Sequence, residues 1–339
     1  MSDPTPQPEA PALPPSTAPE SFSVCCRGFD SEERGRTVGN AVGQCVRLLG
    51  SAFDLSHLDG VTVAYDYAQA LRELDRGYET SHRLTASEGH AIGIGMTPSV
   101  IRDGVLKSHI VLGAPYIAPI ADGDDPDFQH ALHLLAHECA HVEINHKFDL
   151  AFPGISLRTA YEDVWKACRG QVIMACWDEY AATKLSARYG EDPTEGYEAT
   201  FIKVLADTRN RANEFIKAYR VHSDVDRVLH AVYGAYGELL KFTAYHVGNL
   251  DGQGISPSER PKTEEALAGH WFAPDFEQLL AACRAIADEY GHWPDRSAFD
   301  VIGDLADKVV AGGGLTLRYL ASGHVHVDIP FTAETMPEE

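Results

Sequence analysis

The stretch DPDFQHALHLLAHECAHVEINH (125–146) constrains the fold more than any other in the chain. It opens like a helix: Asp125 can cap it, Pro126 suits a first turn, and Asp127 adds favourable negative charge near the N-terminus. Phe128, Ala131, Leu132, Leu135, Cys139 and Val142 recur at helical spacing and predict a stripe facing a core. His130, His133, His137 and His141 fall on the opposite stripe. A helix of this kind needs apolar elements beneath one face and gathers imidazoles on the other.

What flanks it sets the class. Val38, Val42, Cys45, Val46 and Leu49 give residues 31–53 a helical period, and VTVAYD (61–66) alternates like a strand. YAQALRELDRG (67–77) reads as a helix closed by Gly77. HAIGIGM (90–96) and SHIVLGA (108–114), with RDG (102–104) between them, form a hairpin-like pair. Beyond the motif, KFDLAFPGISLR (147–158) reads as a loop. A second helix opens on the capping-box pattern Thr159-x-x-Glu162, with a break expected near Gly170, and runs to RYG (188–190). Helices then recur at about 196–219, 223–247, 275–290 and 298–311, and LTLRYLASGHVHVDIPF (315–331) resembles a hairpin. Strands first and helices later, without βαβ alternation, predict an α+β architecture. In it a small sheet packs on the motif helix beside a second helix, and a mostly helical region follows. The boundaries expected are a Pro-rich disordered tail (1–22), a first domain (23–190) and a C-terminal region (191–339) packed on it.

Composition narrows the partners. Of 339 residues, 28 are basic and 50 acidic, a net of −22, which disfavours nucleic acid and anionic membrane surfaces. No run approaches the roughly 18–20 apolar residues of a membrane span. The N-terminus has seven prolines in its first nineteen residues and neither the basic nor the apolar region of a secretory signal. Seven cysteines without a C-x-x-C pair read as reduced thiols, and together these features predict a cytoplasmic protein.

His137-Glu138-Cys139-Ala140-His141 fits H-E-x-x-H. At 3.6 residues per turn the two histidines share a face and can share a Zn²⁺ ion. Glu138, about 100° away, can reach a metal-activated water without ligating the metal. Such a site needs a third protein ligand and an open position. Glu179, in CWDEYAATKLSA (176–187), shares its face with Ala182, Thr183, Ser186 and Ala187, small residues that would let this helix approach the motif helix. Asp178 lies about 100° off that face and is the poorer candidate. His146 is the rival third ligand, but without the glycine turn that returns a third histidine to a metal it projects away from His137. Asp149 lacks the context of an aspartate ligand. His133, one turn before His137, can line or brace the site. His324 and His326 share a strand face with no further ligand beside them. Tyr180, Tyr245 and His246 are equivalent candidates for polarising a carbonyl. The strand SHIVLGA, just before the motif, is placed to hold an extended peptide by strand addition.

An H-E-x-x-H helix with a glutamate on the next helix resembles the gluzincin branch of the zincin metallopeptidases. It is most similar to the bacterial ImmA/IrrE-type metallopeptidases, in which a strand leads into an A-H-E-x-x-H helix and a later E-x-x-A-N-x-F-A-A segment carries the third ligand. The matching stretches are SHIVLGA, AHECAH (136–141) and EYAATKLSA (179–187), within about 60–190, with Thr183, Leu185 and Cys139 departing from the pattern. The resemblance implies a zincin-like domain and a zinc peptidase acting on a protein or peptide substrate. His137, His141 and Glu179 would be its ligands and Glu138 its general base. The alternative is a non-catalytic regulatory or protein-binding module with a structural or vestigial metal site.

Overall fold

The computed structural model describes residues 14–80, 83–86, 93–158 and 160–337. Its sheet comprises β1 (Ser23–Arg27), β2 (Leu58–Ala64), β3 (Gly95–Met96), β4 (Ser99–Arg102) and β5 (Val105–Gly113). β1 and β2 are parallel, as are β2 and β5, while β3 and β4 run antiparallel to β5 along its other edge. The β4–β5 hairpin closes on Asp103 and Gly104, both at positive φ (52° and 78°), where glycine removes a steric penalty. Helix α1 (Glu32–Leu49) joins β1 to β2, and α2 (Tyr67–Glu73) follows β2.

Three strands are therefore parallel, and the expectation of no βαβ alternation is corrected. The strand that escapes a sequence reading is β1, SVCCR. It is five residues long, and its pairing with Gly60–Ala64 lies beyond an intervening helix, out of reach of local periodicity. The hairpin is also relocated: its turn is RDG, but the partner of β5 is mainly β4. Residues 90–92 of the expected strand lie outside the described residues, as does Thr159 of the expected capping box.

A short helix α3 (Ala114–Ile117) leads to the motif helix α4 (Phe128–Ala151), which extends into the segment read as a loop. Asp125 Oδ1 accepts from the Asp127 amide at 2.9 Å, a turn just ahead of the helix. After α5 (Ile155–Arg158) comes α6 (Val164–Ser186), capped by Asp163, whose Oδ1 accepts from the Lys166 amide. It continues through Gly170 without a break. Next come α7 (Thr194–His222), α8 (Val225–Gln253), α9 (Pro261–Leu267), α10 (Ala273–Asp288) and α11 (Asp300–Gly312), then the hairpin of β6 (Thr316–Tyr319) and β7 (Val325–Asp328). The architecture is α+β, with a small sheet and a mostly helical C-terminal region, as expected. Among the described residues no helix is long and apolar enough to cross a membrane.

One apolar cluster runs from Val38 through Leu135, Trp177 and Leu239 to Val310, so the core does not divide near residue 190. Each large apolar side chain buried there contributes about 1.5–3 kcal/mol relative to its exposed state. The N-terminal segment joins the fold earlier than residue 22. The Thr17 hydroxyl donates to Phe53 O at 2.6 Å and accepts from the Leu55 amide at 2.9 Å.

From His133 to Val142 every residue of α4 is buried, so His133, His137 and His141 do not lie on a solvated face. α6 lies against α4, as expected, and it also lies against α8, where Thr183 and Ala187 stand beside glycines. A Cβ on Gly248 would stand 2.3 Å from Thr183 Oγ1, and one on Gly252 would stand 2.3 Å from Lys184 O. Only glycine permits so close a helix pair.

Candidate metal centre

His137 and His141 leave α4 one turn apart, with ring centroids 4.7 Å apart and near perpendicular, and their Nε2 atoms stand 3.1 Å from each other. From α6, Glu179 places Oε2 3.4 Å from His137 Nε2 and 3.6 Å from His141 Nε2. Ligand atoms about 2.0–2.1 Å from a tetrahedral ion stand roughly 3.3 Å from one another, close to this triangle. Glu179 Oε2, which faces both rings, is buried and receives no hydrogen bond. A buried acceptor left this way costs about 1–3 kcal/mol, which a cation would relieve. Among the described residues this is the one group of three His, Cys, Asp or Glu side chains near enough to share an ion. The donor set and the unsatisfied oxygen fit zinc.

The electrostatics agree with a site built for positive charge. Burial opposes ionisation of Glu179, but the two imidazoles and the Tyr245 hydroxyl outweigh it and hold the carboxyl at about 2. Burial likewise opposes protonation of His141, yet Asp178, Glu179 and Glu138 lift it to about 10. Asp178 is not in the triangle. Its Oδ1 lies 3.1 Å from His141 Nδ1, an ion-pair approach on the side of the ring away from Nε2 in which neither atom makes a hydrogen bond.

Glu138 points to the neighbouring face, beneath the sheet edge. Its Oε2 accepts from the Thr97 hydroxyl at 2.7 Å, and a Cβ on Gly95 would stand 2.4 Å from Oε1. Strand β3 thus passes directly over the carboxylate, and glycine is required there. Burial raises the pKa of Glu138 above the ordinary carboxylate value, only partly offset by His141 and His137. The edge beside the site is β3, not SHIVLGA: β5 is paired on both sides.

The remaining candidates separate cleanly. His133 Nδ1 donates to Tyr189 O at 3.0 Å, and its Nε2 accepts from the Tyr197 hydroxyl at 3.2 Å. The acceptor carbonyl assigns this tautomer. Burial lowers the His133 pKa to about 4, so the ring is neutral. His146 faces away, stacked on His57 at 3.7 Å, and Asp149 accepts from the Gly154 amide. His324 bonds Ser322 at the hairpin turn. Of the three carbonyl-polarising candidates, Tyr180 bonds Asp251 and His246 bonds Thr263, both away from the triangle. Tyr245 is at the site, its ring parallel to His137 at 5.9 Å, and burial together with the nearby Glu179 carboxylate raises its hydroxyl well above the ordinary tyrosine value.

Thr97, Gly95, Tyr197 and the orienting part of Asp178 have no periodic signal and are visible only in three dimensions. A cleft of about 660 Å³ between β1 and α1 contains none of these residues, so cavity volume does not locate the chemistry. Comparison with protein-family models, curated proteins and solved structures yields no match.

Proposed function

We propose that the chain is a zinc-dependent peptidase of zincin type, with His137, His141 and Glu179 as metal ligands and Glu138 as general base. The observation that carries this reading is the convergence of two Nε2 atoms and one carboxylate oxygen within 3.1–3.6 Å, beside a buried glutamate that is not among them. Bound zinc would supply Lewis acidity, lowering the pKa of a water and polarising the scissile carbonyl. The rest is the chain's own work. Thr97 donates to Glu138 Oε2 and fixes the carboxylate. Oε1 accepts the proton that the attacking water loses, helped by burial, which raises proton affinity. The same group then delivers that proton to the amine nitrogen as the C–N bond breaks. His141 keeps its Nε2 aimed at the ion through the Asp178 contact. An extended peptide can pair with the free edge of β3.

The alternative, a regulatory module that uses the metal structurally, draws on one feature: Glu138 is 4% exposed beneath Gly95 and Thr97. One experiment separates the two. Glu138→Gln should bind zinc like the wild type while cleavage of casein or a peptide library falls by at least about 100-fold. Wild-type cleavage should also disappear with a chelator. Full activity in the Gln variant contradicts the peptidase mechanism. A zinc-loaded wild type with no cleavage leaves the regulatory reading.

A further inference from the structure

The ring of Tyr245 lies parallel to His137 at 5.9 Å, 13° from coplanar, and its hydroxyl is close enough to the Glu179 carboxylate that the carboxylate, with burial, raises the tyrosine well above its ordinary pKa. It therefore touches one candidate ligand from each of the two ligand-bearing helices. It belongs to neither, but to α8, in the C-terminal region expected to pack on the first domain. Gly248, three residues on, explains how α8 comes so near: a Cβ there would stand 2.3 Å from Thr183 Oγ1 and 2.4 Å from Tyr180 O. The ring is itself held by Tyr197 at 5.4 Å and Phe242 at 5.7 Å.

We propose that Tyr245 is a positioning residue that braces Glu179 and His137 for metal, so that α8 is a working part of the centre. This rests on the zinc reading above. In this role the hydroxyl, set beside the Glu179 carboxylate, limits the rotation of that group, while Oε2 faces the two imidazoles without a hydrogen bond. The stacked ring restricts the tilt of His137, whose Nδ1 has no partner to do so. Beside His141 the neighbour is Asp178, with Oδ1 3.1 Å from Nδ1; Tyr245 is the neighbour of the other two. The C-terminal helical region thus contributes to metal affinity, which neither the motif nor the spacing to Glu179 reveals.

Removing the hydroxyl tests this on the full-length chain. Zinc affinity is measured by competition with a chromophoric chelator in wild type, Tyr245→Phe and Tyr245→Met, alongside the melting temperature of each metal-free protein. Outer partners of metal ligands typically change affinity about 10–100-fold, and both variants should weaken zinc by about 10-fold or more. Metal-free Tyr245→Phe should melt within roughly 2–4 °C of wild type. Cobalt(II) absorption bands should also shift in Tyr245→Phe, because the geometry at Glu179 relaxes. A folded variant that binds zinc as tightly as wild type, with an unchanged cobalt spectrum, overturns the role of Tyr245 alone. A wild type that binds no zinc, or one matched in affinity by His137→Ala, overturns the metal reading and this inference with it.

Discussion

Helix α4 contributes to two histidine clusters that differ in how their polar atoms are used. Near its middle, His137 and His141 turn Nε2 toward Glu179 Oε2, and that oxygen has no hydrogen-bond donor. Toward its C-terminal end, His146 stacks on His57 at 3.7 Å, and its Nε2 lies 3.7 Å from Asp54. There the carboxylate is already committed: Asp54 accepts from Ser56 at 2.6 Å and pairs with Lys147 at 3.1 Å. His57 Nδ1 is spent on Leu106 O. Two imidazoles and a carboxylate thus come together twice beside one helix. In one place a lysine pairs with the carboxylate and the group is structural; in the other a carboxylate oxygen without a hydrogen bond converges with two Nε2 atoms on a point. A candidate metal centre is marked by unspent, convergent lone pairs more than by residue type.

The sharpest way to break this comparison is to remove one histidine from each cluster. His141→Ala should lower zinc affinity by at least about 100-fold, since a three-ligand site loses a ligand. His146→Ala should leave zinc affinity unchanged and cost about 1 kcal/mol of stability. Isothermal titration with zinc and a denaturant melt check both. Equal effects of the two substitutions on zinc would erase the distinction.

A smaller effect is expected one shell out. Asp178→Asn keeps the shape at His141 Nδ1 but removes the charge, and zinc affinity should fall about 10-fold. If Asp178 were instead a ligand, the loss would match that of His141→Ala.

The smallest effect concerns His133, which shares a face with the centre yet has both ring nitrogens committed. Burial holds its pKa at about 4 in the folded protein against an ordinary 6.5, so the unfolded chain binds the extra proton more readily. Its contribution to stability is then full above about 6.5, declines as pH falls from 6.5 toward 4, and levels off below that. Melting temperature measured from pH 7.5 to 4 should show this component in wild type and lose it in His133→Asn. An unchanged pH slope in the variant would place the proton uptake elsewhere.

How much of this was legible in the sequence follows from what periodicity can see. Within one helix, the 3.6-residue turn puts His137 with His141, separates Glu179 from Asp178, and turns His146 away, and the structure has all three arrangements. Periodicity is blind to what covers a face. What covers the imidazoles of α4, α6 with Tyr197 and Tyr245, comes from residues far along the chain and leaves no periodic mark. The close approach of α6 to α8 is unmarked for the same reason, since Gly248 and Gly252 carry no label naming their partner. β1 is short, and its parallel pairing across α1 leaves no local trace. Tyr180, Tyr245 and His246 were equivalent by type, and only the positions of Asp251, Glu179 and Thr263 distinguish them.

X-ray absorption on zinc-loaded protein tests the central claim most directly. The account predicts one zinc per chain bound by nitrogen and oxygen at about 2.0–2.2 Å, with two imidazole contributions that fall to one in His137→Ala. No stoichiometric zinc, or a shell containing sulfur at about 2.3 Å from the free cysteines, would contradict it.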